Sequence, residues 1–122
     1  MNIYEVQPIF SHPTHPFDLT IDAPGSKSIT NRALMLAALA NGETLLKGAL
    51  FSDDSRHFLQ CLKDLGFDVV VDEPAHTVRV TGLGGRIPKE TAAINVGSAG
   101  TAARFLTAAL GVSEGVFHMD AS

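Results

Sequence analysis

The stretch "PGSKSITNR", residues 24–32, runs straight into the apolar segment "ALMLAALA" of residues 33–40. A Pro-Gly corner interrupts what precedes it, and serine is a residue type that caps helices. From Ser26 the spacing predicts a helix to about Ala40, closed by Asn41-Gly42. Ile29, Ala33, Leu34, Leu36, Ala37 and Ala40 cover so much of the cylinder that a largely buried helix is expected. Its first turn is polar and cationic instead. The first N–H groups of a helix have no internal partners and point at whatever lies beyond the N-terminus. Ser28 and Arg32, four apart, share a face and can grip one carboxylate or phosphate, while Lys27 lies one residue off that line and can reach a second anion. The plainer alternative makes Ser26 an ordinary N-cap and Arg32 a surface arginine paired with Asp53 or Asp54.

Upstream, "FDLTIDA" (17–23) alternates as a strand does, and residues 1–16, with three prolines and no sustained period, read as an extended arm that needs a partner surface. His12 and His15 lie beside prolines with no third ligand nearby, which favours a turn over a metal site. Downstream, "TLLKGAL" (44–50) reads as a strand, and Ser52 caps a second helix with Asp53 and Asp54 in its first turn, where acids complement the helix dipole. Phe58, Leu59, Leu62 and Leu65 form its apolar face, Cys61 falls among them as a buried, inert thiol, and Gly66 closes it. "FDVVVDE" (67–73) and "TVRVTGL" (77–83) follow as strands around a turn at Pro74-Ala75. The order over residues 17–83 is therefore βαβαββ, and residues 84–93 read as a linker.

From 94 the chain begins again. A shift of 72 lays "GSKSITNRALMLA" over "GSAGTAARFLTAA" without a gap, matching Gly25 to Gly97, Ser26 to Ser98, Arg32 to Arg104, Leu34 to Leu106 and Ala37 to Ala109. The strand at 44–50 falls on "VFHMDAS" (116–122), with Ala49 on Ala121. The agreement with the helix-then-strand order favours a structural repeat, of which 94–122 is the beginning of a second unit. In that copy Gly100 stands where Ser28 does, and without a side chain it lets a ligand approach backbone N–H groups. The expected class is α/β (α+β), one complete βαβαββ unit and the start of another.

Composition bounds the rest. The 122 residues carry nine basic and thirteen acidic side chains, a net charge of −4, so no basic face for nucleic acid is expected. Small anions remain accessible partners, since local cations and backbone N–H groups hold them inside acidic proteins. The longest apolar run is too short to span a bilayer, and the first ten residues lack a basic n-region, so a cytoplasmic protein is expected. With one cysteine no internal disulfide forms. A P-loop is excluded, because Ser26 rather than glycine precedes Lys27. No Ser-His-Asp or Cys-His set follows from the spacings.

"PGSKSITNRALMLAALANGET", "SDDSRHFLQCLKDLG" and "NVGSAGTAARFLTAAL" together resemble the 5-enolpyruvylshikimate-3-phosphate synthases, from about residue 17 onward. The transferases acting on UDP-N-acetylglucosamine match less well, since their first motif lacks the Ser-Lys-Ser…Arg arrangement. The resemblance implies two lobes of repeated βαβαββ units closing over their substrates, with no metal or organic cofactor. It implies transfer of the enolpyruvyl group of phosphoenolpyruvate to the 5-hydroxyl of shikimate 3-phosphate, with release of phosphate. Lys27 then touches both substrates, Ser28 and Arg32 contact shikimate 3-phosphate, and Gly100 borders the phosphoenolpyruvate and glyphosate site. Thr101 and Arg104 fit the second motif without an assigned role, and Ser98 departs from the asparagine common there. No catalytic residue is assigned within the chain. Its expected partners are the two anionic substrates and the opposite lobe, against which the 1–16 arm pairs. The isolated chain is expected to be an inactive N-terminal piece; an anion-binding module and an assembly fragment are the alternatives.

Overall fold

The computed structural model describes residues 20–122 together with Ile3 and Glu5. The arm expected at 1–16, apart from those two residues, lies outside the described residues, as do His12, His15 and residues 17–19. The architecture is mixed α/β. Helix α1 (Lys27–Leu39) leads directly into β1 (Asn41–Lys47), followed by α2 (Asp53–Asp64), β2 (Asp68–Asp72), β3 (Thr77–Leu83), β4 (Thr91–Asn95), α3 (Gly100–Gly111) and β5 (Val116–Asp120).

Strands β1, β3 and β2 form an antiparallel sheet in that order, with Leu45 and Val70 both opposite Arg79. Alternation sets its two faces. Val78 and Val80 are fully buried against the helices, while Leu45, Val70 and Arg79 are exposed on the other side. The β2–β3 turn is the expected one: Asp72 Oδ1 accepts from the Ala75 N–H at 3.2 Å, and His76 takes a left-handed φ of 53°. Strands β4 and β5 pair in parallel, with α3 as the crossover between them.

Helix α2 is the centre of the molecule, packing on α1, α3, β2 and β4. Phe58, Cys61, Leu62 and Leu65 are fully buried with Leu34 of α1, and truncating an aromatic such as Phe58 to alanine costs about 3–5 kcal/mol. Ser52 caps α2 through a reciprocal box: Ser52 Oγ accepts from the Ser55 N–H at 3.3 Å, and Ser55 Oγ accepts from the Ser52 N–H at 2.8 Å.

Several sequence expectations are corrected. Residues 20–23 carry no strand, so the described part of the first unit runs α-β-α-β-β. Strand β1 spans 41–47 rather than 44–50, because α1 stops when Ala40 turns extended (φ −66°, ψ 163°) and not at a left-handed glycine. Gly42, with φ 114°, lies inside the strand, and it is Gly48, with φ 73°, that follows its end. The linker expected at 84–93 overlaps β4, which begins at Thr91, ahead of the expected unit boundary at 94. Strand β5 ends at Asp120, two residues before the expected end at Ser122. Helix α1 is not largely buried: Thr30, Asn31, Leu34, Met35, Ala37 and Ala38 face inward, but Ile29 and Leu36 are 67% and 68% exposed. The helix–strand halves of the two proposed repeats also pair differently, β1 antiparallel to β3 and β5 parallel to β4.

Candidate anion-binding site

The first motif is assembled around the backbone of Leu50. Its N–H donates to Thr30 Oγ1 of α1 at 3.1 Å, and its carbonyl accepts from Ser55 Oγ of α2 at 2.7 Å. One residue thus ties the starts of two helices together. Gly25 makes the approach feasible: a Cβ there would lie 2.5 Å from the Gly48 carbonyl oxygen and 3.1 Å from the Leu50 nitrogen.

On this frame Ser26 is the N-cap of α1, its Oγ accepting from the Ile29 N–H at 3.2 Å. Arg32 donates through Nη1 to Ser28 Oγ on the exposed face, as the four-residue spacing predicts. Neither Asp53 nor Asp54 pairs with Arg32. Asp54 Oδ2 lies 3.1 Å from Lys27 Nζ, and Asp53 Oδ1 lies 3.8 Å from Arg56 Nη1. Lys27, one residue off the Ser28–Arg32 line and able to point across to a second anion, is turned toward α2. Directly below it, one turn along the same face of α1, Asn31 is fully buried, and neither its Oδ1 nor its Nδ2 has a hydrogen-bond partner among the described residues.

The second motif rests on α2 as well. Asn95 Oδ1 accepts from the Gly97 N–H at 2.8 Å, and Gly97 adopts a φ of 58°. A Cβ on Gly97 would lie 2.5 Å from the His57 ring, so the ring packs directly on this glycine. Ser98 is exposed and does not cap α3; the N-cap is Ala99, which offers no side-chain acceptor. The starts of the two helices therefore differ by one residue in the 72-residue alignment. Gly100 is exposed with nothing within 4 Å of where a Cβ would sit. Arg104, exposed, shares its face at i+4, and Thr101 is half-buried. No hydrogen bond or ion pair among the described residues joins Lys27, Ser28 or Arg32 to Ser98, Gly100, Thr101 or Arg104.

Cys61 is buried as expected. Its Sγ–H donates to the Asn95 carbonyl at 3.3 Å, and burial, with the Asp64 charge nearby, pushes the thiol up to about 11. Among the described residues no group of three or more His, Cys, Asp or Glu side chains could hold a metal ion, and no helix is long and apolar enough to cross a membrane. Two surface grooves lie elsewhere, one between α2 and the β2–β3 turn and one between residues 85–91 and 112–117.

Sequence reasoning passed over Thr30, Asn31, Ser55, His57 and Asn95. The available signal was polarity in the wrong place: Thr30 and Asn31 sit on the stripe that also carries Leu34 and Ala38.

The fold and these placements define a class: a mixed α/β chain with cationic side chains at the start of one helix and an open glycine at the start of another. The chain belongs to the EPSP synthase (3-phosphoshikimate 1-carboxyvinyltransferase) family, whose model matches residues 12–120. It is 48% identical over 105 residues to a 3-phosphoshikimate 1-carboxyvinyltransferase of Trichormus variabilis, covering 86% of this chain and 25% of the relative. Against the protein of the same name from Ralstonia pickettii it is 51% identical over 100 residues, 82% of this chain and 23% of the relative. The solved EPSP synthase of Acinetobacter baumannii superposes with a TM-score of 0.72 at 28% identity, over 82% of this chain and 23% of that one. The chain thus spans about a quarter of the length of the curated relatives it matches.

Proposed function

We propose that this chain is the N-terminal part of an enzyme that transfers the enolpyruvyl group of phosphoenolpyruvate to the 5-hydroxyl of shikimate 3-phosphate and releases phosphate. The observation that carries the reading is the family match over residues 12–120, which takes in both motifs. Arg32 and Ser28, already joined on an exposed face, supply a guanidinium and a hydroxyl to the shikimate 3-phosphate side. Lys27 lies between the two substrates. Gly100, with open space over its backbone, borders phosphoenolpyruvate. Thr101 and Arg104 flank it, and the exposed Ser98 has no assigned contact.

Two anions repel each other in water, and a fixed positive pocket offsets that repulsion while holding the reacting atoms in line. The chain spans about a quarter of its relatives' length, and on this reading the acid–base groups lie in the rest of the enzyme and the isolated chain does not turn over. That remainder is its partner, together with the two substrates, and a cytoplasmic site of action belongs to the same reading.

The test is a titration of shikimate 3-phosphate into isotope-labelled chain, followed by backbone amide shifts with Arg32→Ala as control. Saturable shifts at residues 26–32 that vanish in Arg32→Ala support the reading. Shifts unaffected by Arg32→Ala, or enolpyruvyl transfer by the chain alone, would overturn the assignment of roles.

A further inference from the structure

Asp53 and Asp54 both stand in the first turn of α2, where the helix dipole welcomes acids, yet they are used differently. Asp53 is 95% exposed and its contact stays within its own helix, at 3.8 Å from Arg56 Nη1. Asp54 is 22% exposed and reaches across to Lys27 Nζ at 3.1 Å. Lys27 occupies the α1 face that continues through Asn31, Leu34 and Ala38, all fully buried. It is turned away from the Ser28–Arg32 face and toward α2. One turn further along α2, on the side of Asp54, His57 packs on Gly97 of the second motif. Asp54 therefore draws the ammonium onto the same helix whose next turn packs on the second motif.

A lysine on a four-carbon stem is otherwise free to swing among rotamers, and the Thr30–Leu50–Ser55 bridge fixes the distance between the two helices that carry the pair. We propose that Asp54 is a positioning residue: it holds the Lys27 ammonium at the junction of α1 and α2, between the anion bound by Ser28 and Arg32 and the one bordering Gly100. This rests on the role given to Lys27 above, and it adds the group that aims it.

The sign of the effect separates positioning from bulk charge. Removing a negative charge beside an anion site tightens anion binding if Asp54 acts only through its field. Removing the group that orients Lys27 weakens it. The first readout needs no ligand: the side-chain ammonium correlation of Lys27 in ¹⁵N-lysine-labelled chain, assigned with Lys27→Met. It is expected to be visible in the parent, lost in Asp54→Asn with the backbone spectrum preserved beyond the contact, and restored in Asp54→Glu. The second is shikimate 3-phosphate affinity, expected to fall about three- to tenfold in Asp54→Asn and to show no further loss when Asp54→Asn is added to Lys27→Met. An unchanged ammonium signal in Asp54→Asn, or tighter binding, overturns the proposal. If Lys27→Met leaves affinity intact while Asp54→Asn still abolishes the ammonium signal, the role given to Lys27 fails and the orientation by Asp54 stands.

Discussion

The hydroxyl of Ser55 donates to the Leu50 carbonyl at 2.7 Å, and on its other side the Leu50 N–H donates to Thr30 Oγ1 at 3.1 Å. Both hydroxyls are buried, at 0% exposure for Ser55 and 7% for Thr30. A buried group that loses its partner costs about 1–3 kcal/mol. Thr30→Val and Ser55→Ala are each expected to lower the urea unfolding free energy by about that much. Because they share one residue between two helices, the double variant is expected to lose less than the sum. Full additivity would mean that Leu50 does not couple the helices.

The glycines of the two motifs do different jobs, which alanine substitution separates. At Gly25 a Cβ would meet the Gly48 carbonyl oxygen at 2.5 Å, and backbone cannot step aside cheaply. Gly25→Ala is expected to cost about 1–3 kcal/mol through forced displacement. At Gly100 nothing lies within 4 Å of that position, and alanine suits the first turn of a helix better than glycine. Gly100→Ala is expected to leave thermal stability equal or slightly raised. Under the proposed function, any loss of phosphoenolpyruvate affinity in that variant then comes from the ligand's own space, read by comparing melting curves with titrations.

The elements that sequence revealed best are those whose signals are local. Ser26 and Ser52 announce their helices because capping is short-range chemistry, and the Pro74-Ala75 turn separates two valine-rich strands. Asn41-Gly42 carries a helix-stop signal that shifts the expected β1 downstream of its observed start at Asn41, whereas the stop is tertiary. The end of α1 lies so close on β3 that a Cβ at Gly82 would sit 2.2 Å from the Ala40 carbonyl oxygen, and the chain must leave at once along that sheet. Strand β4 hid in "TAAIN", where alanines give little β signal and pairing with β5 supplies the structure. At the site, the i,i+4 geometry of Ser28 and Arg32 was legible. The turn of Lys27 toward Asp54 was not, since it depends on two helices being docked through Leu50.

Helix α1 presents two unlike faces, and substitution tells them apart. Leu34 is fully buried and Leu36 is 68% exposed, two residues away. Leu34→Ala is expected to cost about 2–5 kcal/mol. Leu36→Gln is expected to change unfolding free energy by no more than about 0.5 kcal/mol. Ile29 and Leu36, seven apart, form an exposed apolar stripe. Under the proposed function the remainder of the enzyme covers it, so Leu36→Gln is expected to reduce self-association of this chain in light scattering. A large stability loss in Leu36→Gln would mean that the stripe is packed within the chain itself.

Cys61 ties stability to alkaline pH. Burial, aided by Asp64, raises its thiol from 9.0 to about 11 in the folded chain. Between those values the unfolded chain has given up its proton while the folded chain retains it, so the unfolded state binds fewer protons and stability falls as pH rises. The contribution is fully present below about pH 9 and is lost through about pH 11, a change of roughly 2–3 kcal/mol. Urea unfolding at pH 7, 9 and 11 for the parent and for Cys61→Ala isolates it, because titrations common to both cancel in the difference. The parent is expected to lose stability relative to Cys61→Ala across that window and not below it. At pH 7 the folded thiol is expected to resist a thiol-reactive reagent that labels it promptly in urea; prompt labelling without urea would show that the helix opens there or that the thiol is not buried.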